Sequence, residues 1–431
     1  MALAGRWSLD RLADLDERRT TLLLFFLALA VRVAFSLLYG ISAPPLGWGD
    51  DDAYDRIARS IAFSATYDDL WFPPGYPLFL AAFYATVGAK MAIVRLAQAV
   101  IGALTCVVVH RLGKRAFDAR VGWLAAFALA VLPGHAYMSW RIMAEAIYIL
   151  LVTGAAVSAL RFFAAPDART GLLVGAVLGI ANAFKSNLVI YPSALILACA
   201  LVFLARGEVR WRSLAVLVVT FVIANASTPI GNMIASGGEM AMLPANAGHT
   251  LWFSNNPEAD GYFVDPRRAP SAIAFIDAHG KTEALKTTDA LERDRIYAEL
   301  ALAWIREHPG RFLVLCGQKL ANAYGPLPQA EVFEGNRAAK IVHVATFASV
   351  IPLALVGMVM ARRRWRELLP LYLLVACHAV MVLIFYGTPR FTVIIMPALL
   401  VFACVPLLEI AAKLGAASHP QNRAQTVRHG I

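Results

Sequence analysis

The chain has 431 residues, 59% of them hydrophobic and only 16% charged, with a mean hydropathy of +0.61. A soluble globular protein carries about a quarter charged residues, so this composition excludes an ordinary soluble enzyme and predicts an all-α polytopic membrane protein. The net charge of +10 does not point to nucleic acid, because the basic residues form short clusters between apolar runs rather than a stripe or tail.

A membrane-crossing helix needs about 20 apolar residues. In chain order the candidate spans are 20–42, 91–112, 119–137, 141–162, 171–187, 188–206, 212–230, 338–360, 367–386 and 390–412. Ahead of the first, Asp10, Asp14, Asp16 and Glu17 alternate with Arg6, Arg11, Arg18 and Arg19, without a small-residue cleavage site, so this span is expected to remain as an anchor. The apolar stretch 76–87 is too short to cross and is expected at the interface. Five scattered cysteines, mostly inside apolar runs, read as small core residues.

Basic clusters should face the cytoplasm. With ten spans and a cytoplasmic N-terminus all six do: the N-terminus, 111–120, 161–169, 206–212, 362–366 and the C-terminal tail. Counting 76–87 as a crossing would send every later cluster to the other side. The expected layout is one membrane domain over 1–431 with cytoplasmic termini, a first outer loop at 43–90 and a large outer loop at 231–337. Within the latter, DALERDRIYAELALAWIREHPGRFLVL has apolar positions recurring at three and four, which predicts helices in a structured cap.

This alternation brings four polar features to one level, although none was used to count spans. The run Asp50, Asp51, Asp52 follows the first span; Glu145 opens the fourth; Lys185 ends the fifth; Arg390 begins the tenth. Each has a bland reading. The carboxylates can favour a helix N-terminus, Glu145 can pair with Arg141 one turn earlier, and Lys185 and Arg390 can snorkel to the interface. Ionisable groups at membrane depth nonetheless mark functional sites by default, and their joint placement favours chemistry. A carboxylate to take a hydroxyl proton, with cations to receive charge on a departing phosphate, suits transfer of a group from a membrane-embedded phosphate.

At these residues the sequence resembles glycosyltransferase family 39 of the GT-C fold, which includes protein O-mannosyltransferases and lipid A aminoarabinose transferases. The stretches that carry the resemblance are DDDAYDRIA, FPPGYPLFLAAFYATVG, MSWRIMAEAIYILL, ANAFKSNLVIYP, TPIGNMIASGG, LWFSNNPEADGYF and YGTPRFTVIIMP, in family order from about Gly47 to Pro397. One departure is Gly231, where relatives often have Arg before the residue matching Asn232; another is the lack of a basic residue before Pro73.

The resemblance implies a GT-C fold of about ten transmembrane helices with interfacial helices at the outer face. It implies Asp50 or, in the alternative register, Asp51 as catalytic base, Glu145 as the second acidic residue, and Lys185 and Arg390 as ligands of the donor phosphate. Tyr54 and Tyr76 are further candidates, while Asn255 and Asn256 are expected either to bind substrate hydroxyls or to form a turn. Trp71, Phe72 and Tyr76 also suit headgroup-level anchors. The implied partners are a polyprenyl-phosphate sugar donor, a lipid, glycan or protein acceptor, and the bilayer of a bacterial inner membrane with the site facing the periplasm. No cofactor is implied, and the histidines, including His135 and His249, lack metal-ligand spacing. The rival reading is a polytopic transporter or lipid-linked sugar flippase. It would favour paired halves and broken helices at the midplane, whereas these charges gather at one face.

Overall fold

The computed structural model describes residues 16–45, 49–207, 210–327 and 337–418. Arg6, Arg11, Gly47 and the basic C-terminal tail lie outside the described residues.

Helix α1 (Glu17–Leu38) starts where Asp16 accepts a hydrogen bond from the Arg19 amide at 2.8 Å, a side-chain cap for an otherwise orphaned donor. Helices α2 (Asp50–Ser64) and α3 (Gly75–Val87) follow, packed through Tyr54, Ala58, Tyr76, Leu80 and Tyr84. Next come α4 (Met91–Ala116), α5 (Ala119–Val131) and α6 (Pro133–Trp140). The expected span 119–137 is bent by 57° between α5 and α6, because Pro133 has no amide hydrogen with which to continue α5.

Arg32 of α1 fills that break. Its guanidinium donates to the carbonyls of Leu129 and Ala130 at 3.4 and 3.2 Å, and its Nη2 lies 2.6 Å from His135 Nδ1. The side chain is fully buried, and a cation at a helix C-terminus answers the free carbonyls and their dipole.

Helices α7 (Glu145–Ala164), α8 (Ala168–Phe184), α9 (Ile190–Ala205), α10 (Trp211–Asn225) and α11 (Ser227–Ser236) continue the bundle. Helix α8 lies against α10 along Gly171, Gly175 and Gly179. A methyl at each would sit 2.5, 2.3 and 2.5 Å from atoms of α10, so only glycine permits this approach, as in small-residue packing between membrane helices.

The long segment between α11 and the following membrane helix folds into a cap of α12 (Ala247–Ser254), α13 (Pro270–Ala278), α14 (Ala290–Glu307) and α15 (Pro309–Tyr324). It has its own core, including Trp252, Phe253, Leu300, Trp304 and Leu315. Helices α16 (Arg337–Met360), α17 (Leu369–Ile384) and α18 (Pro389–Ser418) complete the fold, with Ile394, Met396, Val401 and Phe402 of α18 in the main core.

Among the described residues six stretches qualify as spans by length and apolarity: α1, α4, α7, α10 with α11, α16 with its 3-10 extension to Arg364, and α18; the bent pair α5 and α6 is a seventh. The segments expected at 171–187, 188–206 and 367–386 are the shorter apolar helices α8, α9 and α17, of 17, 16 and 16 residues. Segments 185–189 and 385–388, which flank these helices, are non-helical and contribute to one cavity. Irregular backbone at membrane depth is tolerated where it lines such a cavity.

Candidate active site

Helix α2 begins where Gly49 takes φ +84°, a conformation that side chains with a Cβ rarely adopt. This turn sets Asp50, Asp51 and Asp52 in the first turn of the helix, where carboxylates complement the N-terminal dipole. Successive helical residues point about 100° apart, and the first two separate accordingly. Asp50 faces the cavity with 32% of its side chain exposed, whereas Asp51 is 2% exposed and accepts from Arg141 Nη2 at 3.0 Å.

Arg390, in the first turn of α18, joins two carboxylates from distant parts of the sequence. Its Nη2 lies 2.6 Å from Asp50 Oδ2 and its Nε 2.5 Å from Glu145 Oε1. Lys185, the residue that ends α8, donates from Nζ to the same Glu145 oxygen at 3.1 Å. Glu145 is wholly buried beneath the cations, and its Oε2 has no protein partner. Arg141 also bonds the Tyr137 hydroxyl at 2.6 Å. It lies before the start of α7, so the expected one-turn pairing of Arg141 with Glu145 gives way to Asp51.

Asp50, Lys185 and Arg390 border a cavity of about 520 Å³, whose wall also includes Tyr54, Trp71, Phe72, Asn187, Asn246 and Tyr386. Its apolar side is formed by Val189, Ile190, Met381, Val382 and Phe385. Burial, then the charges of Asp50 and Glu145, raise the Tyr54 phenol well above its ordinary pKa, so this wall residue stays neutral.

Two expectations are corrected. Tyr76 is fully buried and donates to Gln98 Oε1 at 2.6 Å instead of meeting the cavity. Asn255 and Asn256 are also fully buried: Asn255 Nδ2 donates to the carbonyls of Leu251 and Ile384, and Asn256 Nδ2 to that of Trp252. They hold backbone rather than reaching substrate. Trp71 and Phe72 form part of the cavity wall.

Gly231 packs against Tyr67 and Pro74, while Asn232 donates to the carbonyls of Ala241 and Leu243. Tyr386 was not singled out from the sequence; its place between Pro389-Arg390 and an apolar run was the available signal. Among the described residues no group of His, Cys, Asp and Glu has the arrangement of a metal site.

A helical membrane body and a helical cap, with a charged cavity lined by both, make a fold that is shared with solved structures of the GT-C class. The archaeal oligosaccharyltransferase AglB from Archaeoglobus fulgidus, solved with an inhibitory peptide and a dolichol-phosphate, is similar at 18% identity and a TM-score of 0.52, covering 95% of this chain and 52% of that one. The chain thus spans about half the length of that structure. ArnT from Cupriavidus metallidurans, bound to undecaprenyl phosphate, matches at 17% identity and a TM-score of 0.45, with 89% and 77% covered. Residues 72–230 match the family model described as dolichyl-phosphate-mannose-protein mannosyltransferase, and the family resemblance carried by the motifs is borne out. No curated protein matches the chain by sequence.

Proposed function

We propose that the chain is an inverting glycosyltransferase that moves a sugar from a polyprenyl-phosphate donor to a hydroxyl of a lipid, glycan or protein acceptor. The proposed setting is the outer face of a bacterial cytoplasmic membrane. The observation that carries this reading is one cavity bordered by a partly exposed carboxylate, Asp50, and two cations, Lys185 and Arg390.

Asp50 takes the acceptor proton as the hydroxyl oxygen attacks the anomeric carbon. The new carbon–oxygen bond forms opposite the phosphate as the old one breaks, and the electron pair leaves on the phosphate oxygen. Arg390 and Lys185 stabilise that charge, the former through a planar fork and the latter as a compact point charge. Glu145 fixes both cations from below, and the apolar wall is suited to the first isoprene units. A single displacement inverts the anomeric centre and needs no covalent enzyme intermediate.

The test is Asp50→Asn, expected to lower transfer by about 10²- to 10⁴-fold while polyprenyl phosphate still binds. Asp51→Asn should keep the chemistry and lose the ion pair with Arg141. Activity in both variants, or inactivity of Asp51→Asn alone, overturns the choice of base. Movement of lipid-linked sugar across vesicles without any transfer favours the flippase reading.

A further inference from the structure

Lys319 is a completely buried lysine outside the cavity. It projects from α15 of the cap, and its Nζ donates to Asn255 Oδ1 at 2.7 Å and to the carbonyls of Leu383 and Ile384 at 3.1 and 3.3 Å. Three acceptors match the three donors of an ammonium. Two of those acceptors belong to the last residues of α17, where carbonyls lack helical partners and a cation is favoured. Asn255 adds Nδ2 to the Ile384 carbonyl at 3.0 Å.

The chain then runs through 385–388 to Arg390, and the cap holds this link too. The Gly387 amide donates to Gly261 O at 2.9 Å. A methyl on Gly387 would lie 1.8 Å from the Lys319 carbonyl, so the two backbones are in contact. Phe385, Tyr386 and Arg390, on either side of this point, all border the cavity.

We infer that Lys319 and Asn255 form a positioning pair: by tying the end of α17 to the cap they fix the link that aims Tyr386 and Arg390 at the donor phosphate. This rests on the proposed transfer reaction for its kinetic consequence, but its structural consequence is independent of it. The pair touches no substrate. It acts through backbone, and this accounts for a charged side chain in a place where desolvation is costly.

The experiment compares wild type with Lys319→Met, which removes the donors and charge at similar length, and with Gly387→Ala, which pushes the same link while leaving Lys319 intact. Hydrogen exchange of the full-length protein in micelles should speed up in 384–391 for both variants, with the α14 amides unchanged. Undecaprenyl-phosphate sugar should show a KM raised at least about tenfold, with acceptor KM unchanged. A merely structural loss lowers the amount of active enzyme, and hence kcat, without this split. Unaltered exchange in 384–391, loosening spread evenly through the cap, or an unchanged donor KM with active enzyme overturns the inference. If wild type transfers no sugar from any polyprenyl phosphate, the function proposal fails while the exchange result alone decides the positioning pair.

Discussion

Glu145→Gln removes one charge from a set that balances by count: Asp50, Asp51 and Glu145 against Arg141, Lys185 and Arg390. In the variant the last two cations, at 3.1 and 2.5 Å from the former carboxylate oxygen, face Asp50 alone. Removing one partner from a buried ion pair costs about 3 to 5 kcal/mol because the other charge is left uncompensated. The empty variant should therefore melt well below wild type in the same detergent. A polyprenyl phosphate restores negative charge at the cations, so its stabilising shift should be larger in Glu145→Gln than in wild type. Thermal unfolding with and without undecaprenyl phosphate, against uncharged undecaprenol as control, reads both quantities. Equal melting temperatures without ligand, or a smaller phosphate-induced shift in the variant, refute the charge balance.

Gly175→Ala should cost about 1 to 3 kcal/mol by overpacking, since its methyl would stand 2.3 Å from the Leu217 carbonyl; unchanged thermal stability contradicts the close contact of α8 with α10. His249, in the cap, is pushed down to about 4 by burial and the nearby Arg267. The folded state then binds fewer protons than the unfolded one between pH 4 and 6.5, so its contribution is present above 6.5 and lost as pH falls toward 4. The ceiling is about 3 kcal/mol, lowered by screening at its exposed edge. His249→Phe should flatten the pH dependence of melting, and an unaltered slope would remove His249 as its source.

Long apolar runs such as α1, α4 and α18 were readable because a bilayer demands length and apolarity together. The shortness of α8, α9 and α17 was not, since the apolar runs reach as far as linkers such as Lys185, Ser186 and Asn187, which lose helical form where the three-dimensional cavity opens. Asp50 and Arg390 are 340 positions apart, yet counting crossings put them at the same level. What counting does not supply is rotation about each helix, so it left Asp50 and Asp51 equivalent until their different surroundings separated them. Asn255 and Asn256 misled for a related reason. An amide suits a sugar hydroxyl and a helix-end carbonyl equally well, and only the position of Ile384 distinguishes the two. Arg141 depended on a helix boundary, and the four residues before Glu145 do not continue α7.

The Arg32 contact has a consequence for biogenesis. The carbonyls that end α5 have no water to turn to inside a bilayer, so the third hydrophobic crossing reaches a comfortable energy only after the first has come to lie beside it. The docking of α1 and the closing of the α5–α6 break are thereby coupled through one side chain. The N-terminal half is built as a mutually dependent pair.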